Sequence, residues 1–463
     1  MKGVVKMRKV DRKMTESIKE LFGKRHLRSI ARATKFVQRD ALLTAEGFIS
    51  LCTFHKESIC ETSLSELSTF LTMDQNIHLS PQALSERFNN YAVEFLKIIL
   101  RESIRKQNKV LVNNDNRLQS IFNRINVIDA TSFKISNNLK EFYKGTGGHS
   151  ANAAVKIQLQ YDILTGQIFA CDVGKGATSD STYIKEIQKN VQPNDLILKD
   201  LGYFKMDDLK YIDKQSAYYI SKIKKHTVVY INDGKKYSQV DILEYVKDLS
   251  EGQSLNIPDA YIGANKNLKT RLIITKLSEE NKVKRKIKNN LASQRCKSRM
   301  DDERSELWDS INIYVTNIDD KIMKADEIHD LYTLRWQIEI MFKVWKSLFK
   351  INKVKKVSLH RFECFLYGKL ISIVLDSIIV FKAKEFAYLK GKKYISIYKA
   401  FAIAREHLCK TRDSLLKNDT SYWSLVNNII RLILERGVKS KKKHKKMADE
   451  ILEITILPIA LVA

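Results

Sequence analysis

The segment LYTLRWQIEIMFKVWKSLF, residues 331–349, contains no glycine or proline and is predicted to lie in one helix, residues 324–349. At about 100° per residue, one apolar stripe along it is formed by Leu331, Leu334, Ile338, Met341 and Trp345. A second arc, roughly 120° away, is formed by Tyr332, Arg335, Glu339 and Lys346. The segment therefore predicts a buried face beside a face with a phenol, a guanidinium, a carboxylate and an ammonium. Because solvated helix faces also mix charges, these four residues alone leave a structural and a functional interpretation equally open.

The length and composition of the chain indicate a folded protein with a large core. Of its 463 residues, 44% are hydrophobic and 9% are aromatic, which is enough for two to four domains. The chain has only four prolines and 16 glycines, a composition that favours helix-rich structure over long coil.

The charge balance of the chain is strongly basic. Lysine and arginine number 81 against 53 acidic residues, which gives a formal net charge of +28. Because such an excess repels itself, it is best explained by a polyanionic partner. Nucleic acid is the leading candidate and an anionic membrane surface is the alternative. We expect no small-molecule substrate.

The cysteines indicate a reducing compartment. Six are present without a CxxC pair, as expected of free thiols in a cytosol. Cys52, His55 and Cys60 are close together in the sequence, but no second pair of ligands follows them, so a zinc site is disfavoured.

The sequence predicts a soluble, intracellular protein with no membrane partner. The basic segment at residues 1–13 has no apolar core after it, which argues against a secretory signal. The longest apolar runs are residues 370–381, interrupted by Asp376, and residues 454–463. Both runs are shorter than the about 20 residues that a helix needs to cross a bilayer.

Residues 1 to about 115 are predicted to be helical. Helical apolar spacing occurs in residues 41–54, 63–71, 80–91 and 89–104. Ser80 is a predicted N-cap, with Pro81 at the first helical position. The two short segments could form a helix-turn-helix that touches DNA, or could simply pack together. In the DNA-binding interpretation, the contacts come from Gln82, Ser85 and Arg87.

After residue 116 the pattern changes from helical to strand-like. β-branched and aromatic residues are concentrated in residues 125–135, 154–164, 167–175, 195–203 and 216–224. Turns are predicted at residues 145–148 and 165–166, where glycines occur. Helical patterns occupy residues 181–191 and 204–215. Several strands followed by an α/β alternation predict a mixed sheet flanked by helices.

Residues 226–318 are predicted to form a mainly β insertion. A basic helical run within it, residues 278–295, is suited to phosphate contacts or is a solvated surface helix. The later run Lys439–Lys446 is likewise a flexible DNA-binding arm or a solvated charge run. We therefore expect four parts: a helical DNA-binding region at residues 1–115, an α/β core at residues 120–225 and 319–350, the insertion, and a helical C-terminal region with a basic segment at residues 351–463.

Two aspartates follow strand-like runs. Asp129 closes the run INVID, and Asp200 ends the run LILKD. A charged residue after four mostly apolar strand residues is expected to emerge at the end of a sheet, where open α/β sheets place their sites. Aspartate at a strand end is also ordinary turn chemistry, so either residue alone is weak support for a site.

Glu339 supplies a third carboxylate from a separate element. Three carboxylates match the preference of hard divalent cations for oxygen ligands and suit a two-metal site for phosphodiester chemistry. In a chain of charge +28, an acidic cluster would repel DNA unless a cation neutralised it. Asp162 and Asp172 are rival candidates, although Asp162 precedes a turn and is typical of turn chemistry. His149 is expected in a loop.

The spacing Tyr332-x2-Arg335-x3-Glu339-x6-Lys346 resembles the Y-x2-R-x3-E-x6-K motif of bacterial insertion-sequence transposases of the insertion-sequence-four family. Residues 128–131, IDAT, resemble the first catalytic aspartate motif of that family, and residues 200–204, DLGYF, resemble the second. The order of the motifs and the β insertion before the glutamate also agree. The resemblance covers about residues 125–350, and Leu201 stands where a polar residue is more usual.

This resemblance implies a ribonuclease-H-like (retroviral integrase-like) α/β core with a mainly β insertion, flanked by helical regions. Asp129, Asp200 and Glu339 would be the catalytic triad that binds two Mg²⁺ ions, with Mn²⁺ as a substitute. The implied contacts to the DNA backbone near the cleaved end come from Tyr332, Arg335 and Lys346.

The resemblance also implies an activity. Such enzymes nick the transposon end by water attack, and many then use the freed 3′-OH to form a hairpin, reopen it and join the end to a target. Trp336 would stack on an extruded base or, as the favoured alternative, lie in the core. The implied partners are the transposon ends and target DNA, the implied assembly is a homodimer in the synaptic complex, and the implied location is the bacterial cytoplasm at the nucleoid.

Two other functions stay open at this point. One is a catalytically inactive DNA-binding relative or regulator, and the other is a metal-dependent nuclease without end specificity. The dimerisation segment is also open. Residues 451–463 are a candidate, although burial in their own chain is the favoured interpretation of this apolar tail.

Overall fold

The N-terminal part of the protein is helical, as predicted. The structure is a computed structural model that describes residues 12–39, 41–111, 121–147, 151–225, 227–232, 234–266, 268–296, 303–391, 393–417, 421–440 and 448–454. The first helices are α1 (Arg12–Leu21), α2 (Lys24–Ala33), α3 (Ala45–Phe54), α4 (Leu64–Gln75), α5 (Pro81–Arg87) and α6 (Asn90–Val110). The Ser80 hydroxyl accepts the Ala83 N–H at 3.1 Å, which confirms the predicted N-cap of α5.

Helices α4 and α5 pack against each other across a short turn, residues 76–80. Asn76 adopts a left-handed conformation, with φ of 54°, and ends α4. The Ser68 hydroxyl donates to the Leu79 carbonyl at 2.8 Å and fixes the turn. The two short helices that the sequence predicted are thus joined by a turn, and the DNA-binding and packing interpretations of this pair both stay open.

In the described residues, ten strands form one continuous sheet. They are β1 (Arg124–Lys134), β2 (Ala154–Asp162), β3 (Ile168–Lys175), β4 (Asp195–Lys199), β5 (Tyr218–Lys222), β6 (Val229–Asn232), β7 (Tyr237–Val240), β8 (Ser254–Ile262), β9 (Leu268–Lys276) and β10 (Ile311–Thr316). Their spatial order is β3-β2-β1-β4-β5-β10-β9-β8-β6-β7. β2 is antiparallel to β1 and β3, whereas β4 and β5 are parallel to β1. The first five strands therefore make the predicted ribonuclease-H-like core.

The predicted β insertion is present and continues the core sheet. β10 pairs antiparallel with β5 on one side and with β9 on the other. The basic run forms α9 (Glu279–Cys296), which is followed by α10 (Glu303–Asp309). Arg285 of α9 donates to the Ile311 carbonyl at 2.6 Å, so this helix is fixed beside β10.

The remaining helices cover both faces of the sheet. α7 (Ile184–Gln188) and α8 (Met206–Lys214) pack on one face and share a core with Ile128 and Ile197. The helices after the sheet are α11 (Ala325–Thr333), α12 (Trp336–Ser347), α13 (Leu359–Gly391), α14 (Ile397–Glu406), α15 (Leu408–Arg412), α16 (Tyr422–Arg436) and α17 (Ala448–Ile454). α12 and α13 join the N-terminal helices in the larger core on the opposite face, which includes Val127 and Leu198.

The single helix predicted over residues 324–349 is wrong in one respect, because α11 and α12 are separate helices. The N–H groups of Leu334 and Arg335 bond to carbonyls three residues back, at 3.0 and 3.1 Å, and tighten the chain between the helices. Arg335 keeps nearly helical angles, with φ of −51° and ψ of −31°. The predicted apolar stripe is confirmed, since all five of its side chains are buried.

The apolar run at residues 370–381 belongs to a longer element than predicted. α13 has 33 residues, and by length and composition it is long enough to cross a membrane. Within the fold, 94% of its most apolar window is buried, and it packs against α3, α6 and α16. α13 is therefore placed as the central helix of the larger core.

Asp376 lies in the middle of α13 with 1% of its surface exposed. Burial raises the pKa of Asp376 to about 7, although the nearby Arg405 guanidinium opposes the shift. The folded chain therefore binds this proton more tightly than the unfolded chain, in which the pKa is near 3.9. The contribution of Asp376 to the free energy of unfolding should therefore fall as pH rises from about 4 to about 7. Above pH 7 this contribution should stay constant at its lower value.

We expect Asp376→Asn to become more stable than the unsubstituted protein as pH rises, by roughly 1 to 4 kcal/mol between pH 4 and pH 8. Denaturant unfolding of both proteins at the two pH values measures this difference, and other titrating groups cancel in the comparison. The exposed Asp248→Asn is the control. An Asp376→Asn stability change that is equal at both pH values would contradict the assignment.

Candidate active site

The pairing of β1 with β4 places the two predicted aspartates side by side. The parallel register pairs Ile128 with Lys199, so the next residues, Asp129 and Asp200, are neighbours. Alternation along each strand turns these two side chains away from Ile128 and toward the face that carries α12.

Asp129 does not end its strand, contrary to the sequence interpretation. β1 continues to Lys134 because β2 still pairs with it, from Asp129 opposite Leu159 to Lys134 opposite Ala154. β4 ends one residue before Asp200. Asp129 therefore lies at the level where β4 stops, and the end of β4 opens the space above both carboxylates.

The Arg335 guanidinium contacts all three predicted carboxylates. Arg335 Nη1 donates to Asp129 Oδ2 at 3.2 Å, and Arg335 Nη2 donates to Glu339 Oε1 at 2.8 Å. Arg335 Nε lies 3.8 Å from Asp200 Oδ1. The Arg335 side chain is only 15% exposed, whereas those of Asp200 and Glu339 are 39% and 34% exposed. The cluster is thus closed beneath and open to solvent on one side.

The electrostatics of the cluster follow from burial and crowding. Burial raises the pKa of Asp129 to about 6, the neighbouring carboxylates add to this shift, and the Ala130 N–H and the Arg335 guanidinium oppose it. Burial alone would lower the pKa of Arg335, but the surrounding oxygens reverse this and raise it. Arg335 therefore stays charged and neutralises part of the acidic cluster.

The three carboxylates fit a hard divalent cation by their chemistry but do not yet enclose one. Among the described residues, no three acidic, histidine or cysteine side chains are grouped so that they could hold a metal ion. Arg335 lies between the three candidates and keeps them apart. An oxygen-only donor set is what Mg²⁺ or Mn²⁺ prefers, so these three side chains are chemically suited to such an ion.

Tyr332 is buried beneath this cluster, with 5% of its surface exposed. Its hydroxyl donates to Asp200 Oδ1 at 3.4 Å. Its ring lies 4.7 Å from that of Tyr314 on β10, and the Lys222 ammonium lies 5.5 Å from its centroid. Burial raises the pKa of Tyr332. These contacts support Asp200 from below.

Lys346 lies about two turns beyond Glu339 on α12. Its ammonium donates to the Ser132 carbonyl at 3.1 Å, beside the continuing end of β1. Burial lowers the pKa of Lys346. Since this hydrogen bond is to a neutral carbonyl, the charge of Lys346 is available to an anion that approaches this end of the sheet.

Trp336 is exposed, and the expectation that it lies in the core is wrong. The relative exposure of Trp336 is 58%, whereas the side chain of the preceding residue, Arg335, is only 15% exposed. Trp336 begins α12 immediately after the tightened turn, so it projects away from the apolar stripe of that helix. A large aromatic side chain is thus displayed at the start of α12, directly after Arg335 in the chain.

The other candidate residues lie elsewhere. Gln82 and Ser85 are exposed on α5, and Arg87 is partly buried at its end. Asp162 is fully buried and accepts the N–H groups of Ile125 and Leu164, together with the backbone and side chain of Thr165. It performs the turn chemistry that the sequence indicated.

Asp172 lies on the edge strand β3, away from the cluster, and its carboxylate accepts a hydrogen bond from the Tyr183 hydroxyl. Cys52 and Cys60 are buried, free thiols, and in the part of the chain that the structure describes they belong to no metal-binding group. His149, most of Lys439–Lys446 and most of residues 451–463 lie outside the described residues.

Sequence reasoning missed Tyr314 and Lys222, which pack against Tyr332. Both lie on strands whose predicted existence was correct, and they face each other in the β5–β10 register. Their role could be found only once that pairing was known, because period-2 alternation fixes which residues share a face but not which strands are neighbours.

A family model described as a transposase DDE domain matches residues 121–375 of this chain. The chain belongs to the DDE transposase family. The transposase for insertion sequence element IS1151 of Clostridium perfringens is 39% identical to it over 454 residues, which are 95% of this chain and 96% of the relative. The transposase for insertion sequence element IS231F of Bacillus thuringiensis subsp. israelensis is 34% identical over 92% of each chain.

A solved structure of the piggyBac transposase synaptic complex with hairpin DNA has a TM-score of 0.39 and 11% identity, with 87% of each chain covered. The relatives and the family model together confirm the predicted family, and this DDE transposase is an enzyme that cuts and joins DNA with the help of a divalent cation.

Tyr332→Phe in this DDE transposase removes the hydroxyl that reaches Asp200 and keeps the buried ring. We expect DNA cleavage to slow roughly five- to tenfold, as for one hydrogen bond of about 1 kcal/mol, with DNA affinity unchanged. Cleavage kinetics at saturating DNA and binding titrations measure the two effects. Tyr394→Phe, which also removes a 3.4 Å bond to a carboxylate, is the distant control. Reduced affinity with normal cleavage at saturation would instead indicate that Tyr332 contacts DNA.

Proposed function

We propose that this protein is the transposase of a bacterial insertion sequence, which binds the terminal inverted repeats and catalyses Mg²⁺-dependent DNA cleavage and strand transfer. One observation carries this proposal. Carboxylates from three separate elements, Asp129, Asp200 and Glu339, surround a single guanidinium at the open side of the sheet. Such a set of oxygen donors from separate elements suits the two-metal sites that carry out phosphodiester chemistry.

The three carboxylates are the proposed catalytic and metal-binding residues. Two Mg²⁺ ions held by them, with Mn²⁺ as a substitute, would activate the attacking oxygen and stabilise the leaving 3′ oxygen. The chain's own part is to fix the ligands. Asp129 is held by its strand and by the Ala130 N–H at 2.8 Å, and Asp200 is supported by Tyr332.

The proposed DNA contacts surround this cluster. Arg335 suits a forked contact to a phosphate and Lys346 suits a point contact at the rim. Trp336 is exposed and suits stacking on a base extruded from the end. The predicted DNA contact of Tyr332 is replaced in this proposal by a supporting role, since its ring is buried and its hydroxyl bonds to Asp200. Gln82 and Arg87 are the proposed contacts of the N-terminal helical region.

The proposed reaction has two kinds of step. Water attacks the phosphorus at the transposon tip and the 3′ oxygen leaves, which frees a 3′-OH. That hydroxyl then attacks a second phosphodiester, either on the opposite strand to form a hairpin or on target DNA, and a new 3′ oxygen leaves. We further propose that a homodimer holds two ends in a synaptic complex, in the bacterial cytoplasm at the nucleoid and without a membrane partner.

Asp129→Asn and Glu339→Gln keep the size of each side chain and remove its charge. We expect each to reduce cleavage by at least about a thousandfold and to leave end binding intact. The assay incubates labelled DNA carrying the flanking inverted repeats with Mg²⁺ or with EDTA. Asp172→Asn, at the rival aspartate on β3, is the control and should cleave normally.

Three outcomes would redirect the assignment. Cleavage that survives either substitution would mean that the site is wrong. Specific binding without breaks in Mg²⁺ or Mn²⁺ would indicate a catalytically inactive relative. Equal cleavage of random and terminal-repeat DNA would indicate a general nuclease.

Trp336→Ala removes the exposed ring beside the cluster. If a base stacks on it, with about 1 to 3 kcal/mol per base, hairpin formation should fall roughly 5- to 150-fold while the first nick changes less. Denaturing gels separate the nicked and hairpin products. Trp336→Phe should restore most of the activity, and Tyr245→Ala, at an exposed aromatic residue of the insertion, is the control. Equal loss of both steps would argue against base stacking.

A further inference from the structure

The contacts of Arg335 have a consequence for the order in which ligands bind. Its guanidinium bonds to Asp129 and Glu339 and lies 3.8 Å from Asp200. A divalent cation at this cluster would draw on the same three carboxylates. Because the guanidinium and the cation are both positive and would lie a few ångströms apart, each disfavours the binding of the other.

Arg335 cannot yield the site by losing its proton, because a guanidinium remains charged in proteins. It must therefore yield by moving. Its side chain is long and begins at the tightened turn between α11 and α12, next to the exposed Trp336. The cluster is open on the side of Asp200 and Glu339. A phosphate that approaches there offers the same forked geometry as the carboxylates.

We propose, on the basis of the function proposed above, that Arg335 excludes divalent cations from the three carboxylates until a DNA phosphate draws its guanidinium away. Metal ions and the DNA end then bind cooperatively, because each favours the arrangement that the other needs. By linkage, the DNA raises the affinity for metal by the same factor as the metal raises the affinity for DNA. The cation-loaded site forms mainly on engaged DNA.

Lys346 provides a matched comparison within the same helix. It is also a cation near the cluster, but its ammonium bonds to the Ser132 carbonyl and not to the carboxylates. Removing Lys346 should weaken DNA binding without freeing any metal ligand. Removing Arg335 should weaken DNA binding and free all three ligands. The metal affinity of each variant, measured in the absence of DNA, therefore distinguishes the role of Arg335 from that of Lys346.

The test measures Mn²⁺ binding to the full chain by electron paramagnetic resonance, with no turnover involved. Without DNA, we expect Arg335→Met to bind Mn²⁺ about tenfold tighter than the unsubstituted protein, within the roughly 5- to 150-fold range of ordinary couplings. Lys346→Met should bind Mn²⁺ like the unsubstituted protein. Thermal unfolding of each variant first establishes that it is folded.

A second arm uses the unsubstituted protein alone, so that the proposal is testable even if Arg335→Met fails to fold. A pre-cleaved duplex with the terminal repeat should tighten Mn²⁺ binding about tenfold, again within the usual range of couplings. This gain should be absent in a folded Arg335→Met variant. If the duplex leaves Mn²⁺ affinity unchanged, or if Arg335→Met binds Mn²⁺ no more tightly than the unsubstituted protein, the proposal is overturned.

The outcomes also separate this proposal from the function on which it rests. Suppose that Asp129→Asn abolishes Mn²⁺ binding and Arg335→Met does not change it. This result would support the proposed metal site and would contradict the proposal that Arg335 excludes the metal. No Mn²⁺ binding in either arm would overturn both the metal assignment and this proposal. Tighter binding in Arg335→Met together with a DNA-induced gain only in the unsubstituted protein would support both.

Discussion

The parallel pairing of β1 with β4 is the constraint on which the site depends. Arg124 and Asp195 are opposite each other in that register, and they form a forked, largely buried ion pair in which Arg124 Nε lies 2.6 Å from Asp195 Oδ1. Five residues further along each strand come Asp129 and Asp200. A slip of one residue in either strand would turn its aspartate to the opposite face of the sheet. The register that this ion pair joins at one end of the strands therefore sets the geometry at the other end.

Bringing carboxylates together creates a charge problem that the fold resolves locally. The chain carries a net charge of +28, yet this positive charge is spread over a large surface and cannot compensate a half-buried acidic cluster at short range. Arg335 does so because it reaches all three carboxylates from the turn between α11 and α12. In the proposed function, the contact that stabilises the folded cluster is the one that would be given up for metal-assisted chemistry, a conflict typical of functional sites.

Much of this arrangement could be predicted from sequence periodicity, and the exceptions have a common cause. The buried stripe of α12, the strands of the core and the cap of α5 all follow from local spacing and capping chemistry. The break before Arg335 and the exposure of Trp336 depend on which elements are neighbours. The strand-like pattern of residues 125–135 already extends past Asp129, but it does not show that β4 stops beside Asp129, which decides where the sheet opens.

The burial of Tyr332 changes how the spacing Tyr332-x2-Arg335-x3-Glu339-x6-Lys346 is interpreted. The four residues lie along α11, the tightened turn after it and α12, and they occupy different depths. Tyr332 supports Asp200 from below, whereas Lys346 lies at the rim beside Ser132. Trp336, which is outside the spacing, is the more exposed aromatic residue. A helical spacing can thus combine supporting and contacting residues, and exposure is the property that separates the two.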